Sequence, residues 1–200
     1  MGNTDKFEQM AFKYDSPTRI EVAVKAAAAI RHYVHDAGNK HAIDFGCGTG
    51  LVGMELLDDF RSVLFIDSSS NMIHAVDQKI KNIGVHNAST LCFDLEQDRL
   101  DELSADYIFM SQVLLHIADV EFILSRLYLM LNEGGHVIIV DFDHHNGVHS
   151  EFVHPGFVQT DLAAQMKEIG YTDVQSYTFY AGERLFMNLD ATMFVLDARK

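Results

Sequence analysis

Residues 43–50 read Ile-Asp-Phe-Gly-Cys-Gly-Thr-Gly, an acid two places before a Gly-x-Gly-x-Gly run. The apolar pair Ala42-Ile43 leads in, and a helix-like segment, Leu51–Phe60, leads out. The pattern predicts a strand, a sharp glycine turn and a helix N-terminus. Glycine has no Cβ, so such a turn lets a nucleotide-like ligand lie against bare backbone.

Outward from this turn, apolar runs and helical periodicities alternate. Residues 18–37 are alanine-rich, with Ile20, Val24, Ala27, Ala28 and Ile30 at helical spacing, and Gly38-Asn39 end the segment. Strands are expected at His41–Phe45, Ser62–Ile66, Ser89–Phe93, Asp106–Met110 and His136–Val140. Helices are expected from a Ser69 or Ser70 cap to about Asn82, and from an Asp119 cap through Leu131, with Gly134-Gly135 as the stop. Short apolar strands alternating with helices predict a parallel sheet covered on both faces. After Asp161–Ile169, another helix, Val174–Tyr180 and Met193–Leu196 read as strands too close for a parallel crossover. They predict an antiparallel pair joined by a turn or short loop. The fold class expected is α/β, a Rossmann-like doubly wound sheet, in one domain over residues 1–200.

Composition bounds the partners. The chain has 200 residues and a net charge of −14, spread along its length. Polyanions would be repelled, so nucleic acid and anionic membranes are poor partners, and the excess acid is read as solubility. Cys47 lies in the glycine turn and Cys92 in a strand, without zinc spacing. Reduced thiols in a cytoplasmic location are the expectation. No apolar stretch approaches the roughly 18–20 residues that span a bilayer, and Met1–Lys6 has no apolar signal core. Membrane insertion is not expected.

Polar residues stand at nearly every strand end, where ligands of such sheets bind. They are Gly46, Gly48 and Gly50, then Asp67, Asp94, Ser111-Gln112, and Asp141 with Asp143. Asp67 stands 21 positions beyond Gly46, where a carboxylate can accept from both hydroxyls of a ribose. Asp67 also reads as a cap for the helix that follows. Asp94 could accept from an adenine amino group, or be a surface acid. Gly48–Gly53 also fits the dinucleotide pattern Gly-x-Gly-x-x-Gly. Against that, Asp44 precedes the turn, where it would repel a pyrophosphate but could help hold an ammonium group. Three carboxylates suit ammonium and sulfonium charges better than a diphosphate.

With these residues in view, the chain resembles the class I S-adenosylmethionine-dependent methyltransferases, of the small-molecule type that includes quinone-biosynthesis enzymes. Asp44–Gly50 is similar to the family's first motif, Phe65–Ser69 with Met72 to the second, and Asp94-Leu95 to the third. Asp106–Phe109 through Leu114–Ile117 resembles the fourth, and Leu131–Gly135 with its strand the fifth. Phe7–Asp15 is similar to the family's opening segment, and His154–Phe157 with Ile169–Tyr171 to a late one. The resemblance implies a seven-stranded sheet with an antiparallel last strand and S-adenosyl-L-methionine as cofactor. It implies Gly46 and Gly48 against the methionine part and Asp67 on the ribose, with Asp44, Gly50, Ser68 and Met72 also among the cofactor-binding residues. Asp94 and the Leu95 amide would lie near adenine, and Gln112 beside the methyl group. It also implies that residues 1–37 form a helical segment over the cofactor and acceptor.

Methyl transfer from a sulfonium needs alignment and exclusion of water more than it needs a catalytic triad, and none is evident. A base is needed only if the acceptor loses a proton. His116, Tyr14 and His154 are the candidates, each also readable as a structural residue. Asp141-Phe142-Asp143-His144-His145 with His149 and His154 fits no standard metal spacing, and no metal is expected. That loop reads either as an acceptor contact or as a solvated connection. Aromatic residues in 1–20 and 141–160 favour a small, partly apolar acceptor. A nicotinamide-dependent oxidoreductase and a catalytically silent binding module are the alternatives.

Overall fold

The computed structural model describes residues 15–95 and 103–200. Seven strands form one sheet in the order β3-β2-β1-β4-β5-β7-β6. The strands are β1 His41–Phe45, β2 Ser62–Asp67, β3 Ala88–Cys92, β4 Ala105–Ser111, β5 Leu131–Phe142, β6 Thr172–Phe186 and β7 Leu189–Arg199. β1 pairs in parallel with β2 and β4, β2 with β3, and β4 with β5. β7 runs antiparallel between β5 and β6. The doubly wound expectation and the antiparallel late pair are thus both met.

Strand residues alternate between two cores, as the two-residue repeat requires. Tyr107, Phe109, Ile138, Val140, Met193 and Val195 face one side, against helices α1 (Pro17–Arg31), α2 (Leu51–Glu55) and α3 (Ser70–Ile83). Ile108, Met110, Val137, Ile139, Phe194 and Leu196 face the other, against α4 (Val120–Met130) and α5 (Gln159–Ile169). Caps sit where short polar side chains can reach amides. Ser16 accepts from Arg19 N–H, Ser69 from Met72 N–H and Asp119 from Phe122 N–H.

Several boundaries differ from expectation. The first helix ends at Arg31 rather than near residue 37, and Asp36 takes a left-handed φ of 50°. The Leu51–Phe60 helix is only one turn plus a 3₁₀ segment at Leu57–Asp59. β6 and β7 run far beyond their expected ends and meet in a tight hairpin at Met187-Asn188, with φ of 52° and 65°. Positive φ at both central residues is the type I′ signature, whose twist matches antiparallel strands. Asn188 suits a left-handed φ, but Met187 is not a usual type I′ residue, so the sequence signal for this turn is weak. No helix among the described residues is long and apolar enough to cross a membrane.

Candidate functional site

The glycine turn lies where the chain direction across the sheet divides: β1 leads to β2 on one side while β4 lies on the other. Gly46, Gly48 and Gly50 all have positive φ, at 65°, 54° and 78°. At Gly46 space is also decisive, since a Cβ would stand 2.6 Å from Val113 Cγ2. The turn after β4 therefore packs directly on the turn after β1. Gln112, in that second turn, holds a left-handed φ of 57°, its N–H donating to Val140 O at 2.8 Å. Non-glycine residues rarely adopt this conformation, and such strain gathers at functional sites.

Asp67 faces the glycine bend. Gly48 N–H donates to its Oδ2 at 2.8 Å and Ser69 N–H to its Oδ1 at 2.9 Å. It thus supports both the turn and the start of α3. A carboxylate has about four acceptor positions, so these two bonds and a ligand diol are compatible. Asp94 follows β3, and Phe93 N–H donates to Asp67 O at 3.0 Å, which places the two acids on neighbouring strand ends. Ser68 is exposed beside Asp67. Met72 is 1% exposed and Leu95 is buried as well, so both side chains lie in the core, and the contact expected of Leu95 is through its backbone amide.

Asp44 is also sealed from solvent, and its Oδ2 accepts from Gly53 N–H at 3.0 Å. Burial pushes its carboxyl up to about 8, opposed by the Gly53 bond and reinforced by the charge of Asp67. Asp44 thus supports the turn from beneath. Burial likewise raises the Cys47 thiol, so it is not a reactive thiolate. Both cysteines are free.

The 3₁₀ turn Leu114–His116 carries His116 at the rim of β4. Asp141, fully buried, holds this turn by accepting from Leu115 N–H at 3.2 Å, and burial raises its carboxyl to about 7. His154 staples the loop after β5 to the same place. Its N–H donates to Leu115 O at 2.8 Å, and its Nε2 lies 2.7 Å from Ile117 O. Asp143 accepts from Gln159 Nε2, Thr178 Oγ1 and Thr192 Oγ1 at 2.7, 3.0 and 2.6 Å. It is a structural hub and not a ligand donor. The loop after β5 is ordered by backbone bonds such as His145 N–H to Pro155 O, rather than merely solvated. Among the described residues, no three His, Cys, Asp or Glu side chains converge as a metal site. Tyr14, Phe7 and Phe12, with residues 1–14 of the expected covering segment 1–37, lie outside the described residues.

Sequence reasoning missed Asp15 and Lys79. Lys79 Nζ donates to Thr49 O and pairs with Asp15 Oδ2, both at 2.7 Å, and Thr49 Oγ1 donates to Asp15 Oδ1. The available signal was the position of Lys79, one helical turn beyond Val76 on the face that meets Gly50. An open hollow of about 440 Å³, lined by His145, Glu183, Asp190 and Thr192 among others, lies beyond β5 against the β6–β7 hairpin. In sheet order, β4 and β5 separate it from the glycine turn.

A methyltransferase domain family matches residues 43–137, a stretch that begins at the glycine turn and ends in β5. Over that stretch the chain is similar to the methyltransferase domain family. An uncharacterised methyltransferase of Schizosaccharomyces pombe is 24% identical over 50% of this chain and 37% of its own length. Ubiquinone biosynthesis O-methyltransferase of Rickettsia akari is 25% identical over 62% of this chain and 48% of its own. In three dimensions the fold matches phosphoethanolamine N-methyltransferase 2 of Haemonchus contortus, solved with phosphomonomethylethanolamine and S-adenosylhomocysteine. That TM-score is 0.74 at 16% identity, covering 88% of this chain and 52% of the other. The chain thus spans between about a third and a half of these relatives' lengths.

Proposed function

We propose that this chain transfers a methyl group from S-adenosylmethionine to a small, partly apolar acceptor by in-line displacement. The observation that carries the reading is Asp67 bonded to Gly48 N–H across the glycine turn, with the strained Gln112 on the adjoining turn. Asp67 would accept from the ribose hydroxyls, Asp94 from the adenine amino group, and Gly46 and Gly48 would border the methionine part. S-adenosylmethionine supplies a methyl carbon already activated on a sulfonium leaving group. The chain's own task is then to orient the acceptor and keep water out.

The acceptor side would be formed by the loop after β5, held by His154 and Asp143. His116 is the base candidate, placed by the turn that Asp141 and His154 fix. The names of the Rickettsia and Haemonchus relatives, a quinone-pathway enzyme and a phosphoethanolamine enzyme, favour a small acceptor over a macromolecule. Calorimetric titration with S-adenosylhomocysteine and with NADH tests the cofactor, and binding of NADH alone defeats the proposal. Radiolabelled methyl transfer across a panel of phenols, amines and carboxylates tests turnover. Cofactor binding with no labelled product from any of them would favour the silent module.

A further inference from the structure

Three segments far apart in sequence meet at one ammonium group. Lys79 reaches from α3 to the Thr49 carbonyl inside the glycine turn and to Asp15 just before α1. Thr49 is buried, and its hydroxyl closes the triangle by donating to Asp15. On the same face of α3, Val76 lies 3.2 Å from the position a Cβ would take at Gly50. α3 therefore grips two consecutive residues of the turn, one by packing and one by charge-assisted hydrogen bonds, which are roughly twice as strong as neutral ones. Lys79 also supplies positive charge beside a turn that carries Asp44 and Asp67, and its field acts on Cys47 against theirs.

Resting on the methyltransferase reading, we infer that Lys79 is a positioning residue that sets the methionine half of the cofactor site through Thr49 and Asp15. Its ammonium holds the Thr49 carbonyl turned towards α3, which fixes the peptide planes on either side of Thr49. The adenosine half rests on Asp67 and Asp94, at the ends of β2 and β3, whereas Lys79 holds Thr49 and Asp15. The two halves should therefore respond differently to its loss. The test titrates wild type, Lys79→Met, Lys79→Arg, Asp15→Asn and the Lys79→Met/Asp15→Asn double variant with S-adenosylhomocysteine and with 5′-methylthioadenosine, alongside thermal melts. Lys79→Met should weaken S-adenosylhomocysteine by about tenfold and methylthioadenosine by less than about twofold. Lys79→Arg should recover part of the loss, and the double variant should lose less than the sum of the singles. Unchanged S-adenosylhomocysteine affinity, or equal losses for both ligands, overturns the inference while leaving the methyltransferase reading intact. Failure of the wild type to bind S-adenosylhomocysteine overturns both.

Discussion

Replacing Asp67 by alanine strips the acceptor from two backbone amides, Gly48 and Ser69, and from the proposed ribose. Affinity for S-adenosylhomocysteine should fall at least about tenfold, roughly 1.4 kcal/mol. The same change should lower stability by about 1–3 kcal/mol, because buried donors are left unmet. Calorimetry and urea unfolding read the two effects, and unchanged affinity in a folded variant would remove Asp67 from the ribose. Asp44 makes a different prediction. Its folded carboxyl is raised to about 8, and that of Asp141 to about 7, both above the ordinary value of 3.8. Each therefore keeps its proton where the unfolded chain has released it. Their contribution to stability is present below about pH 4 and lost as pH rises towards 7 and 8, by about 1.4 kcal/mol per pH unit for each retained proton. Asp44→Asn should flatten that decline in unfolding free energies measured from pH 5 to 8, and an unaltered slope would refute the buried-proton account. Both acids were visible in the sequence as polar strand ends. That both are buried was not visible, since burial depends on what the pleat faces.

At the scale of single elements, the glycine turn, the capped helices and the short parallel strands follow from local chemistry, and their existence was legible. The edges were not. α2 contains Gly53, whose added Cβ would stand 2.4 Å from Phe65 Cε1 and 2.5 Å from Asp44 Oδ2. This glycine matters for closeness rather than for a special φ. Gly53→Ala should destabilise by at least about 1–3 kcal/mol, as overpacking does, and a melting temperature equal to wild type would contradict the packing described. The β6–β7 hairpin was read too short because residues 181–185, Ala-Gly-Glu-Arg-Leu, look like a loop. Pairing with β7 overrides that propensity, and a bulge absorbs Arg184, whose N–H donates to Asp190 Oδ1 at 2.8 Å. Asp143 fastens the rim of β5 to this hairpin through Thr178 and Thr192 and to α5 through Gln159. Asp143→Ala should cost about 2–3 kcal/mol, in line with hydrogen bonds to a charged group. Amide exchange should quicken in β6 and β7 more than in β1 and β2, and uniform quickening would argue against a local hub.

For the whole molecule, one continuous sheet supports both cores, so we propose that the chain unfolds as a single cooperative unit. Far-UV circular dichroism and tyrosine fluorescence should give coincident urea transitions. Separate midpoints would show that the β5–β7–β6 end unfolds apart from the glycine-turn end. The antiparallel edge is held by pairing along the length of β7 and by His136, whose Nδ1 lies 2.8 Å from Asp197 Oδ1 while its ring stacks on Tyr107. By itself the sequence determined the alternating sheet, the glycine turn, and the acids that follow the strands, because periodicity, caps and turn chemistry act between near neighbours. Only the tertiary structure decided which of those acids are buried, that Lys79 clasps Asp15 to Thr49, and how β7 enters between β5 and β6. Those outcomes depend on distances between segments dozens of residues apart, which packing of the folded chain sets and local sequence does not encode.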